Sequence, residues 1–180
     1  MSRVIPVPII GESAASGAQV IDGSLKFNSG STNHLNRTPS SPGNLKTWTW
    51  SGWIKRSQFG DWNFFAANGS SSHTLLGFYN STKKLYIVPY AGVGGATFLS
   101  DAVFRDCGAF FHVCIALDTT QATSTNRLKA YVNGVELTWS SSTYPNLNDN
   151  WSINVGREHR IGASTQDNSY IDGSLSQIYF

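Results

Sequence analysis

The chain has 180 residues, with 13 Lys and Arg against 11 Asp and Glu for a formal net charge of +2, and aromatic and charged residues each make up 13%. That length is one domain's worth and can bury a core without metal or disulfide staples. Among the basic residues only Lys55-Arg56 and Lys83-Lys84 are adjacent, which excludes a track along a phosphate backbone and hence a nucleic-acid partner; no apolar run approaches a membrane-crossing length, so no membrane insertion is expected.

The first 22 residues differ from the rest. In Val4, Ile5, Pro6, Val7, Pro8, Ile9 and Ile10 the two prolines forbid a helix and favour an extended backbone. The stretch from Gly11 to Gly17 has linker composition. The apolar run is short and twice broken, so no signal peptide is expected. An extended apolar arm cannot bury itself. It either lies along its own domain or docks onto a neighbouring subunit as an added strand.

From residue 23 onward apolar residues recur with period two, and the expected strands are 23–28, 33–37, 47–56, 62–67, 73–80, 83–90, 96–104, 110–118, 126–133, 135–139, 158–163 and 172–180. Short strands at such regular spacing indicate an all-β sandwich or barrel. In 47–56, alternation sends Trp48, Trp50, Gly52 and Ile54 to the core face. Trp53 falls on the other face. Its ring is either open for stacking on a sugar, or covered by a loop or the arm, or swung inward by a bulge at Gly52. Asn80-Ser-Thr-Lys83 reads as a hairpin turn, and 91–95 and 140–150 as loops. Cys114 lies in the apolar run 110–117 and is expected in the core, with Cys107 and Cys114 as free thiols. Asn133-Gly134, flanked by β-formers, is the signature of a type I′ hairpin.

Catalytic chemistry finds little material. The three glutamates, Glu12, Glu136 and Glu158, make no strand-spaced pair of the kind glycoside hydrolysis requires. His34, His73, His112 and His159 are too scattered for zinc. No enzyme is expected. Sugar binding needs exposed rings beside amides and hydroxyls. The best such stretch is the loop carrying Trp139, Tyr144, Asn146, Asn148 and Trp151, with Trp62 as a further loop-side ring and Trp53 on the sheet face.

Five pieces in order and spacing carry a family resemblance: Ser24-Leu-Lys-Phe27; Thr47-Trp-Thr-Trp-Ser-Gly-Trp-Ile-Lys55; Phe111-His-Val with Asp118-Thr-Thr; Tyr131-Val-Asn-Gly134; and Ile161-Gly-Ala followed by Tyr170 to Ile178. Together they resemble the laminin-G-like, concanavalin-A-like jelly rolls of structural and adhesion proteins of tailed phages, over about residues 23–180. The resemblance implies an antiparallel jelly-roll sandwich of two sheets, six or seven strands each, with the first strand paired near the last. It also implies a virion protein, a tail fibre, spike or capsid-decoration component. Its lectin-like domain would contribute to host-surface glycan attachment, its residues 1–22 would anchor it to other virion proteins, and it would be a homo-oligomer on the particle. A purely structural cement protein and a non-viral secreted adhesion domain are the alternatives. Such domains often hold calcium at the sandwich rim, for which Asp118, Asp167, Asn168 and Asp172 are candidates; the same residues equally serve as turn formers. No other cofactor is expected.

Overall fold

The alternation in Thr47–Arg56 becomes a ten-residue strand whose inward and outward residues follow the expected order. A computed structural model describes residues 23–68, 73–90, 97–164 and 169–180. The arm residues Val4 to Ile10, the loop 91–95, and Asp167 and Asn168 therefore lie outside the described residues. The strands are β1 (Leu25–Phe27), β2 (Leu35–Arg37), β3 (Thr47–Arg56), β4 (Trp62–Asn68), β5 (His73–Phe78), β6 (Lys84–Tyr90), β7 (Phe98–Val103), β8 (Phe111–Asp118), β9 (Leu128–Val132), β10 (Val135–Glu136), β11 (Trp139–Ser142), β12 (His159–Ile161) and β13 (Gly173–Tyr179). They form two antiparallel sheets, one of six strands in the order β1-β13-β3-β8-β9-β10 and one of seven in the order β11-β7-β6-β5-β4-β12-β2. The first strand pairs with the last, Leu25 opposite Leu175. Among the described residues no helix is long and apolar enough to cross a membrane.

The core lies between the sheets. Trp50 is fully buried, its ring 4.8 Å from Phe64, while Trp48 packs 5.9 Å from Trp151. β4 carries an extra residue against β5 between Asn63 and Phe65. That bulge lets the consecutive Phe64 and Phe65 both join the core, which a regular strand forbids. Asn133 and Gly134 have φ of 50° and 80°, the two positive values a type I′ turn requires, and they join β9 to β10.

Two expectations are corrected. The stretch 135–139 is not one strand: Val135–Glu136 stays beside β9, Leu137 packs against the core, and Trp139–Ser142 crosses to pair with β7 in the other sheet. Part of the expected 140–150 loop is thus strand, because the period of side-chain alternation does not say which sheet a segment joins. Cys114 is not a core residue. Phe111, Val113, Ile115 and Leu117 take the inner face of β8, leaving His112, Cys114, Ala116 and Asp118 half-buried on the outer face. Both cysteines are free thiols.

Candidate functional site

The outer face of the six-stranded sheet is built by the residues that alternation turns away from the core. β3 and β8 pair without a register shift from Thr47–Asp118 to Ile54–Phe111, so no bulge occurs at Gly52 and Trp53 stays on the outer face. Gly52 instead makes room inside, where an added Cβ would stand 3.1 Å from both the Trp50 ring and Ile178. Trp53 lies opposite His112 on one side and Ser176 on the other, its ring tilted against the imidazole at 5.3 Å. The next row runs Ser51, Cys114, Tyr131 and Glu136, and the one below it Thr49, Ala116 and Lys129. Lys55 and Ser174 sit opposite each other just beyond Trp53. Trp53, His112 and Tyr131 are half-buried, and short side chains surround them.

The hairpin fixes one side of this face. The Asn133 side-chain oxygen accepts the His112 backbone N–H at 2.8 Å, and the Asn133 N–H donates to the His112 carbonyl at 2.9 Å. Burial pushes the Cys114 thiol above its ordinary pKa, which disfavours the thiolate. Lys129 and Glu136 pair at 3.2 Å, holding the lysine above its ordinary value. The face thus offers two aromatic rings, an imidazole, hydroxyls and a lysine amine. Chemically it can stack on the C–H face of a ring and hydrogen-bond to hydroxyls.

The loop patch read from the sequence does not stay together. Trp151 is only 2% exposed, inserted beneath Trp48 with its backbone N–H donated to the Leu45 carbonyl, so no face is open to a ligand. Trp62 is 3% exposed and likewise covered. Both are corrected from ligand platform to core. Trp139 and Tyr144 do come together, both half-buried and edge-on to Phe98 at 5.1 and 5.0 Å. Asn146 and Asn148 are exposed but serve the loop. Asn146 donates its N–H to Asp149 at 2.6 Å, and Asn148, at φ 65°, donates its own to the Thr119 carbonyl.

The calcium candidates that can be placed are already engaged. Hydrogen bonds from the Thr120 and Gln121 side chains, followed by the Thr120 N–H and Thr47, hold the Asp118 carboxyl below its ordinary value. Burial alone would raise Asp172, but donors on Ser29 and Gln58 outweigh it and the net shift is downward. Asp118 faces Thr47 at one end of β3, and the Asp172 carbonyl accepts the Ser57 N–H beyond the other end, so the two stand about 30 Å apart along the strand and cannot share an ion. Among the described residues no three His, Cys, Asp or Glu side chains group to hold a metal. Asp118 and Asp172 therefore do not form a shared calcium site.

One residue escaped the sequence reading. Arg56 continues the inner face of β3 and is fully buried. Its guanidinium lies 5.0 Å from the Phe59 ring and 4.9 Å from those of Trp62 and Phe78. Nη1 donates to the Phe104 carbonyl at 3.0 Å, while Nε and Nη2 have no acceptor among the described residues. Burial lowers its pKa. The signal was present, since Arg56 falls in step with Trp48, Trp50 and Ile54. That Tyr131 stands opposite Glu136 was likewise readable by counting out from the Asn133-Gly134 turn.

Against known proteins, no curated protein matches the sequence. Solved structures resemble the fold. Domains LG4-5 of the mouse laminin alpha1 chain align with a TM-score of 0.63 at 14% identity, covering 90% of this chain and 44% of that one. The full-length tailspike protein 2 of the Escherichia coli O157:H7 bacteriophage CAB120 aligns at 0.54 and 14%, covering 87% and 22%. Domain 4 of a GH43 extracellular arabinanase from Geobacillus stearothermophilus, in complex with arabinotriose, aligns at 0.50 and 15%, covering 77% and 62%. The chain spans less than two thirds of each of these structures, and at such identities the likeness is one of fold. A family profile described as Laminin_G_3, concanavalin A-like lectin/glucanases superfamily, matches residues 14–180. With nearly the whole chain inside that match, the protein belongs to the Laminin_G_3 family of the concanavalin A-like lectins and glucanases.

Proposed function

We propose that this domain is a non-catalytic glycan-binding module whose platform is the outer face of the six-stranded sheet, with Trp53 as the stacking ring, and that it serves host-surface attachment on a phage virion. The observation that carries the binding reading is Trp53. It is an outward tryptophan on the third of the sheet's six strands, flanked by His112, Ser51, Ser174 and Lys55. An indole with hydroxyl and amine neighbours matches the amphipathic surface of a sugar, apolar on its C–H face and polar at its rim. The fold is shared with an arabinanase domain solved with arabinotriose and with a phage tailspike; these support the substrate class and the virion setting respectively. A non-catalytic role is favoured by how the carboxylates are used. Glu136 pairs with Lys129, Glu158 with Arg160, and Asp61, Asp106, Asp118, Asp149 and Asp172 accept hydrogen bonds from turn or loop groups.

The test is a glycan array probed with the intact protein and with Trp53→Ala and Trp139→Ala. Binding that falls at least tenfold in Trp53→Ala and survives in Trp139→Ala supports the outer-face site. The opposite pattern moves the site to the Trp139 and Tyr144 rings, and a blank array favours a purely structural module. Mass spectrometry of purified particles tests the virion setting, which fails if the chain is absent from them.

A further inference from the structure

Where the edges of the two sheets approach on the β1 and β2 side, the sandwich is open. Two adjoining cavities of about 420 and 380 Å³ share Leu35, Ile161 and Ile178 as walls. Leu25 and Leu35, on the two edge strands, are 56% and 47% exposed. Leu25, Phe27, Leu35, Ile161, Leu175 and Ile178 make the first cavity apolar, and no charged side chain lines it. Gly23 also lines it, so the chain enters β1 from within this seam, anchored by a hydrogen bond from Ser176 Oγ to the Gly23 carbonyl.

We propose that the seam is the seat of this chain's own Val4–Ile10, added as a strand that ends the sheet to the edge of β1 that no described strand pairs. The sequence of the segment supplies the argument. In an extended strand, alternate residues turn their N–H and C=O groups to opposite edges. Ile5, Val7 and Ile9 present theirs to one edge; Pro6 and Pro8 share the other and offer no N–H there. One edge can pair and the other is blocked, as an outermost strand requires. Every side chain from Val4 to Ile10 is apolar, matching the first cavity; Arg37 and His159 line only the second. Twelve residues lie between Ile10 and Gly23, enough to reach roughly 40 Å, so the tether does not restrict the fit. Attachment to the same chain also gives this segment a high effective concentration over any competitor.

The experiment compares amide exchange and light-scattering mass of the intact chain with those of an Ile5→Ser, Val7→Ser, Ile9→Ser variant. The expected result is at least tenfold faster exchange at Leu25–Phe27 in the variant, with both proteins monomeric. Unchanged exchange overturns the proposal. Protection that fades on dilution, with a dimer mass, overturns it in favour of a second copy's segment. As an independent check, Val7→Cys with Leu35→Cys, in a background with Cys107 and Cys114 replaced by serine, should form a disulfide within one chain; a disulfide found only between chains overturns it.

Discussion

Trp151 and Trp53 are both tryptophans read from the sequence as ligand rings, yet they occupy opposite environments. Truncating Trp151 to alanine empties a site filled against Trp48 and should cost about 4 kcal/mol of stability. Trp53→Ala removes a half-buried ring from a sheet surface and should cost only about 1 kcal/mol. Urea denaturation of the two variants measures the contrast, and equal costs would contradict the assignment of faces. Arg56 poses a different question, because its charge is buried with one hydrogen bond and no carboxylate partner among the described residues. Three aromatic faces offset part of the desolvation, but two N–H groups still lack an acceptor among those residues. A methionine of similar length keeps the packing and removes the buried charge. Arg56→Met is therefore expected to be as stable as the parent or about 1 kcal/mol more stable, whereas Arg56→Ala leaves a cavity and should lose about 3 kcal/mol. Denaturation midpoints that fall for both variants alike would mean that the charge itself stabilises the fold.

Among the elements, β5 shows how close packing sets the identity of one residue. At Gly77 it passes beneath the Tyr86 ring, which stacks on Tyr79 at 4.2 Å and donates its hydroxyl to Asn63 at 2.7 Å. A Cβ on Gly77 would fall 2.1 Å from the Trp62 carbonyl oxygen and 2.7 Å from the Tyr86 ring. Gly77→Ala should thus force β4 and β6 apart and cost about 3 kcal/mol by thermal or urea melting; a loss below about 1 kcal/mol would show that the strands shift freely. Strands of this kind were legible in the sequence wherever alternation was clean, as in β3, the β9–β10 turn and the β5–β6 hairpin. Legibility failed where both faces of a strand are apolar or small. Cys114 lies between Val113 and Ile115; the cue that it faces out, its step of two from His112 and of four to Asp118, was masked by the apolar run around it. It failed again at Leu137 to Trp139, where the chain changes sheets without a break in pattern. The candidate rings were separable only in part, because Trp151 and Trp62 are covered by residues distant in sequence.

At the scale of the whole molecule, stability should depend on pH through one buried histidine and several engaged carboxylates. His159 is 6% exposed and packs against Phe65 and Phe180. Its Nδ1–H donates to the Arg157 carbonyl at 2.8 Å while Nε2 accepts the Asn154 N–H at 3.0 Å, an arrangement only the neutral ring can make. Burial lowers its pKa, outweighing the hydrogen bond to Arg157, and the nearby Arg37 adds to the shift. The unfolded chain, with an imidazole pKa of about 6.5, then binds the proton first as the solution is acidified. This contribution is present in full above about pH 6.5 and is lost as pH falls below it. His159→Gln, which keeps a neutral donor and acceptor, should flatten the decline in stability between about pH 7 and pH 5; an unaltered slope would refute the assignment. Asp118, Glu158 and Asp172, all shifted downward, contribute above the ordinary carboxylate range near pH 4 and lose that contribution only at lower pH.

Among the described residues each sheet is bounded by short strands, with three residues in β1, two in β10, three in β2 and four in the irregularly paired β11. Runs so brief give a neighbouring copy few backbone groups to zip against. The fold consequently resists edge-to-edge growth into fibrils, and its broad faces are the larger surfaces left for contact.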